Sequence, residues 1–105
     1  MESINKVELQ GNVGNFRITN VGDTQVAQIS LVTEFYYKNR KGNAFVETEW
    51  HHIVAWAGAE RDLAIIEKGR PIRVIGRLRS QSYTDSEGNR KSTTEIVARE
   101  LKRVL

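Results

Sequence analysis

At 105 residues, with 39% hydrophobic and 28% charged side chains, the chain is long enough for one modest core and no more. Without cysteine it forms neither disulfides nor thiolate metal sites, and a cytosolic home is compatible with that composition. No apolar run reaches membrane-spanning length and no signal-peptide pattern opens the chain, while a formal net charge of +3 permits a polyanionic partner without demanding one.

The first predicted strand, Lys6 to Val13, alternates Val7, Leu9 and Val13 on one face with Lys6, Glu8, Gln10 and Asn12 on the other. Gly11-Asn12-Val13-Gly14 has a GxxG spacing but lacks the flanking helices of a KH clamp, and is read as the bend of a barrel strand. The second strand, Gln25 to Tyr37, places Ala27, Ile29, Leu31 and Thr33 on one face and Gln28, Ser30, Val32, Glu34 and Tyr36 on the other. It runs into a loop, Phe35 to Phe45, that interleaves the aromatics Phe35, Tyr36, Tyr37 and Phe45 with the cations Lys38, Arg40 and Lys41. Exposed rings flanked by charge mark a binding surface; the competing reading is a small hydrophobic core between hairpin strands, or a subunit contact.

The third strand, Thr48 to Trp56, puts Trp50, His52, Val54 and Trp56 on one face and Glu49, His51, Ile53 and Ala55 on the other. Both tryptophans therefore share a surface about 20 Å apart, a platform for stacked bases unless both are core residues. His51 and His52 point to opposite faces and cannot chelate one ion without a bulge; His51 reads as a buried, hydrogen-bonded or interface histidine. A short helix is predicted over Ala59 to Lys68, with Ala59, Leu63 and Ile66 on one side, Lys68 in the last turn and Gly69 as its left-handed cap.

In the fourth strand, Pro71 to Tyr83, Arg73, Ile75, Arg77, Arg79, Gln81 and Tyr83 share a face: a phosphate track ending in an aromatic, or a solvated face that protects a sheet edge. Asp85 to Lys91 forms a polar hairpin tip on which Arg90 and Lys91 either grip phosphates or keep the tip soluble, and Thr93 to Val104 holds the fifth strand. The order β-β-β-α-β-β predicts one all-β domain over residues 1–105, a five-stranded Greek-key barrel of the oligonucleotide/oligosaccharide-binding (OB) type with the helix plugging one end. No phosphate loop, nucleophile elbow or zinc-spaced ligand set is present, so neither an enzyme nor a cofactor or metal is expected.

The chain resembles the bacterial single-stranded DNA-binding protein family. The resemblance rests on Asn5-Lys6-Val7, Thr48-Glu49-Trp50-His51 through Trp56, Glu67-Lys68-Gly69, Gly76-Arg77-Leu78-Arg79, Tyr83-Thr84-Asp85, Gly88 and Thr93-Thr94-Glu95-Ile96-Val97, in family order over almost the whole length. It implies a non-enzymatic, cytoplasmic, nucleoid-associated homotetramer that coats single strands during replication, recombination and repair, with no membrane or small-molecule partner. It also implies base stacking at Tyr36, Trp50, Trp56 and Tyr83; tyrosine stands where the family usually has tryptophan at the first and last positions, and Trp56 where phenylalanine is common. Lys6, Arg40, Lys41, Arg77, Arg79, Arg90 and Lys91 are expected to neutralise phosphates.

Two departures stand out. The joint Gly14-Asn15-Phe16-Arg17 lacks the family's proline-containing turn, and Leu105 is not followed by the disordered tail with an acidic tip that recruits partner enzymes. The expectation is a trimmed core or a tailless relative, binding DNA but recruiting repair proteins poorly. The alternatives are a tailless, homodimeric replication-restart protein of the same fold that bridges primosome partners, and a metal-dependent nuclease using His51, His52 and Glu49, against which the strand geometry argues.

Overall fold

The computed structural model describes Met1 to Leu105, and its five strands close into one barrel in the order β1-β2-β3-β5-β4. The strands are β1 (Val7–Val21), β2 (Thr24–Lys38), β3 (Ala44–Trp56), β4 (Pro71–Thr84) and β5 (Arg90–Arg103). All ladders are antiparallel except a two-pair parallel ladder, Ile53 with Ile96 and Val54 with Val97, where β3 meets β5. No helix is long and apolar enough to cross a membrane.

The period-two pattern builds this barrel directly. Val13, Ala27, Ile29, Leu31, Ile53, Ala55, Ile72, Val74, Ile96, Ala98 and Leu101 point inward and are buried, with Val7 and Leu9 packed against them. Full burial of each larger aliphatic side chain stabilises the fold by about 1.5–3 kcal/mol. Their neighbours in sequence face outward, so the outer wall is free to carry function.

The joint expected after Val13 is not a joint. β1 bulges between Val13 and Phe16 and continues to Val21, pairing with β2 down to the Val21–Thr24 turn. One extra residue bends the strand, which lets β1 serve β4 through Val7–Asn12 and β2 through Asn12–Val21. A second bulge lies on β5, where Ile75 pairs with Glu100 and Gly76 with Ala98, leaving Arg99 without a β4 partner.

The helix over Ala59 to Lys68 is corrected to a single 3₁₀ turn, Leu63–Ile65. Before it, the Arg61 guanidinium donates to the carbonyls of Trp56 (2.6 Å) and Arg99 (2.9 Å) and Gly58 bridges to Arg61, so this stretch is held non-helical. Asp62 caps at Ala64 N, and Ile66 is already extended at φ −77°, ψ 120°. Gly69 does adopt positive φ (83°), but within a Glu67–Arg70 turn tied to β1 through Val13, so Lys68 faces no helix dipole. Leu63, Ile65 and Ile66 close the barrel end, while Ala59 is exposed.

Beyond the barrel, β2–β3 and β4–β5 project as two long hairpins whose tips share one construction. Asn39 Oδ1 accepts from Lys41 N and Asn43 N, and Asp85 Oδ1 accepts from Glu87 N and Asn89 N, all at 2.9–3.0 Å. Gly42 and Gly88 each follow at φ 83°, the left-handed position of a hairpin loop that glycine fills without a Cβ clash.

Candidate nucleic-acid interface

Register decides which rings share a surface. In the β2–β3 ribbon Tyr36 pairs with Val46, Val32 with Trp50 and Val26 with Trp56, so Tyr36, Trp50 and Trp56 stand on the outer face. By strand rise they form a row about 33 Å long. They are 73%, 62% and 41% exposed, and Lys38 at the far end of the row shares their face.

Trp50 is not splayed into solvent. Its indole reaches across β2 to β1, where a Cβ added at Gly14 would lie 2.5 Å from Cζ3 and 3.0 Å from Cη2. Gly14 thus leaves the space that the edge of the ring occupies. Tyr36 is fixed differently: its hydroxyl donates to Glu34 Oε2 at 2.5 Å. That hydrogen bond, followed by the carboxylate's negative charge, raises the Tyr36 pKa above its usual 10.0.

The remaining three rings of the first hairpin do not join this row. Phe35, Tyr37 and Phe45 occupy the opposite face of the ribbon and stack on one another, with centroids 6.2 and 5.5 Å apart. Of the loop's four aromatics, the structure brings only Tyr36 to the tryptophan side.

Across β5, the outer face continues onto β4. Arg79 pairs in register with Glu95, whose carboxylate is only 4% exposed, and binds it through Nε at 2.9 Å and through Nη2. His52 of the tryptophan strand approaches the same carboxylate, Nδ1 to Oε2 at 3.9 Å, which joins the β3 and β4 surfaces. Tyr83, exposed and four residues beyond Arg79, lies on this face about 13 Å along the strand.

The expected phosphate ligands fall into two groups. Lys6, Arg40, Lys41, Arg77 and Arg90 are exposed and have no carboxylate within ion-pair distance. Arg79 is neutralised by Glu95, and Lys91 lies 3.4 Å from Asp85 on its own tip. His51 accepts or donates at Thr33 Oγ1 (2.8 Å) on the face opposite His52, so the two imidazoles do not converge. Sequence reasoning missed Gly14 and Glu34. Glu34 is legible in principle, two residues before Tyr36 on the same strand face, whereas nothing local marks Gly14 as the neighbour of a ring's edge two strands away.

The chain is similar to known proteins in both sequence and fold. The chain matches the single-strand binding protein family over residues 4–104. It is 41% identical to single-stranded DNA-binding protein 1 of Xylella fastidiosa, covering 96% of this chain and 77% of that protein. It is 37% identical to single-stranded DNA-binding protein 1 of Chlorobaculum tepidum, where the match covers 93% of this chain but only 63% of the relative. Its fold superposes on the Plasmodium falciparum single-strand binding protein, solved as a complex with single-stranded DNA, with a TM-score of 0.84 at 26% identity, covering 100% and 98% of the two chains. A single-stranded DNA-binding protein from Thermus aquaticus shares the fold at a TM-score of 0.78 and 19% identity, with 97% of this chain matching 51% of that one.

Proposed function

Because the chain belongs to the single-strand binding protein family, we propose that it binds single-stranded DNA with little sequence preference, stacking bases on Tyr36, Trp50, Trp56 and Tyr83. Lys6, Arg40, Lys41, Arg77 and Arg90 neutralise phosphates, with Arg79 and Lys91 contributing less because each is already paired. The protein coats transiently exposed strands in the cytoplasm during replication, recombination and repair, as a homotetramer, and catalyses no reaction.

The observation that carries this reading is the outward row of Tyr36, Trp50 and Trp56 along one ribbon face. Every base has a π-face, so stacking tolerates any sequence and contributes about 1–3 kcal/mol per base. Titrating the intrinsic tryptophan emission with oligo(dT) tests it: the emission is quenched, and affinity falls steeply with salt as bound phosphates release counterions. Trp50→Ala and Trp56→Ala each weaken binding about 5- to 150-fold on this estimate. Unchanged affinity in both variants would overturn the stacking assignment.

A further inference from the structure

Beside Trp56 runs a groove of about 630 Å³ in which four cations meet and no carboxylate lines the wall. One side is the arm before β1. There the Asn5 amide donates to Leu78 O and accepts from Leu78 N, both at 2.9 Å, pairing with β4 just past the point where β1 leaves it. This pins the arm and sets Lys6 on the groove wall. Arg77 of β4 lies beside Lys6 in the same register, and Arg61 of the loop after β3 and Arg99 of β5 complete the lining.

The electrostatics of the four differ from those of an ordinary solvated strand face. Lys6 and Arg77 make no ion pair. Arg61 is held by two neutral carbonyls, Trp56 O and Arg99 O, so it is fixed in place with its charge intact. Arg99 is the unpaired residue of the β5 bulge, a distortion that re-aims a side chain out of the strand's alternation. Its partner Glu100 (3.3 Å) is shared with Lys102 (3.5 Å), and one carboxylate cannot cancel two cations.

We infer that this groove is a phosphodiester channel that carries the single strand away from Trp56, with Arg61 and Arg99 as backbone-binding residues alongside Lys6 and Arg77. The inference rests on the single-stranded DNA reading above and extends it to one end of the aromatic row. A base stacked on Trp56 places its flanking phosphates at the groove mouth, where guanidinium groups offer charge-assisted hydrogen bonds to phosphate oxygens.

Salt dependence of oligo(dT) binding is the test, read by tryptophan quenching on the full chain and on Arg61→Gln, Arg99→Gln and the double variant. For single strands the slope of log K against log salt changes by about 0.7 for each phosphate that is no longer neutralised. Each single variant is expected to flatten the slope by about that amount and the double variant by about twice it, with the saturating quench unchanged because both indoles remain. Arg61 also holds the end of β3, so the fold of its variants is checked by circular dichroism; if they unfold, Arg99→Gln, whose side chain holds no backbone carbonyl, decides the matter. A slope in Arg99→Gln equal to that of the unsubstituted protein overturns the channel while leaving the stacking reading intact. Failure of oligo(dT) to quench the unsubstituted protein overturns the stacking reading, and the channel with it.

Discussion

The Trp50 ring and Gly14 form one unit, although they lie two strands apart. With an added Cβ 2.5 Å from the ring's Cζ3, Gly14→Ala forces the edge of the indole to shift. The expected result is weaker oligo(dT) binding, by less than the about 1–3 kcal/mol that removing a stacked aromatic outright costs, and an altered emission maximum before any DNA is added. Tyr36 offers a second single-residue test. Its pKa is raised because the neutral phenol donates to Glu34, so the bond is fully made below the unfolded value and disappears as pH rises through the higher folded one. Glu34→Gln is expected to shift the tyrosinate absorbance of Tyr36 to lower pH and, by removing a negative charge beside a stacking ring, to tighten oligo(dT) binding modestly. The row Tyr36, Trp50 and Trp56 is legible in the sequence because side chains alternate strictly along a strand. The contact between Gly14 and Trp50 is not, because it depends on which rotamer carries an indole across a neighbouring strand.

Elements with one buried face declare themselves in the sequence and the others do not. Ala27, Ile29, Leu31 and Ile72, Val74 each follow period two into the core, so β2 and β4 are readable nearly to their ends. The stretch from Ala59 to Lys68 misleads because Ala59, Leu63 and Ile66 fit a helical spacing, yet the chain buries Leu63, Ile65 and Ile66 instead. What decides this is Arg61, whose hydrogen bonds to Trp56 O and Arg99 O are invisible to periodicity. Glu95 is similarly opaque: an outward residue on β5, it becomes buried only because Arg79 and His52 close over it. Arg79→Ala leaves that carboxylate without its main partner, and a loss of about 1–3 kcal/mol is expected in urea denaturation. Since Arg79 is itself 40% exposed, the effect falls below the roughly 3–5 kcal/mol of a fully buried pair. Arg79→Met combined with Glu95→Leu should recover most of the stability, because apolar replacement of both partners removes the unpaired charge. The slope of log K against log salt should flatten less in Arg79→Ala than in Arg77→Ala, whose cation is unpaired.

At the scale of the whole molecule, the subunit is more extended than a compact monomer of its size. A compact monomer of 12.0 kDa exposes about 6,000 Å² and has a radius of gyration near 13 Å. This chain exposes 7849 Å² with a radius of 16.2 Å, because two hairpins project from the barrel. The excess, about 1,900 Å², is roughly twice the 800 Å² per partner of a standard interface. A two-fold dimer uses one such face per subunit, whereas a closed tetramer of paired dimers needs two. For the homotetramer proposed above, light scattering is expected to give about 48 kDa, four times the chain mass, and a value near 24 kDa would instead favour the dimeric restart protein. Among the exposed groups that enlarge this surface are Phe16, Ile18, Val21, Phe35, Tyr37 and Phe45, which are apolar or aromatic. Association through such groups does not weaken with ionic strength, while binding to phosphates does. At 1 M salt, where the screening length falls to about 3 Å, oligo(dT) affinity should drop toward what stacking alone supports, while the mass should stay near 48 kDa. A fall to 12 kDa under those conditions would mean that the subunits are held by charge, and that the excess apolar surface serves DNA alone.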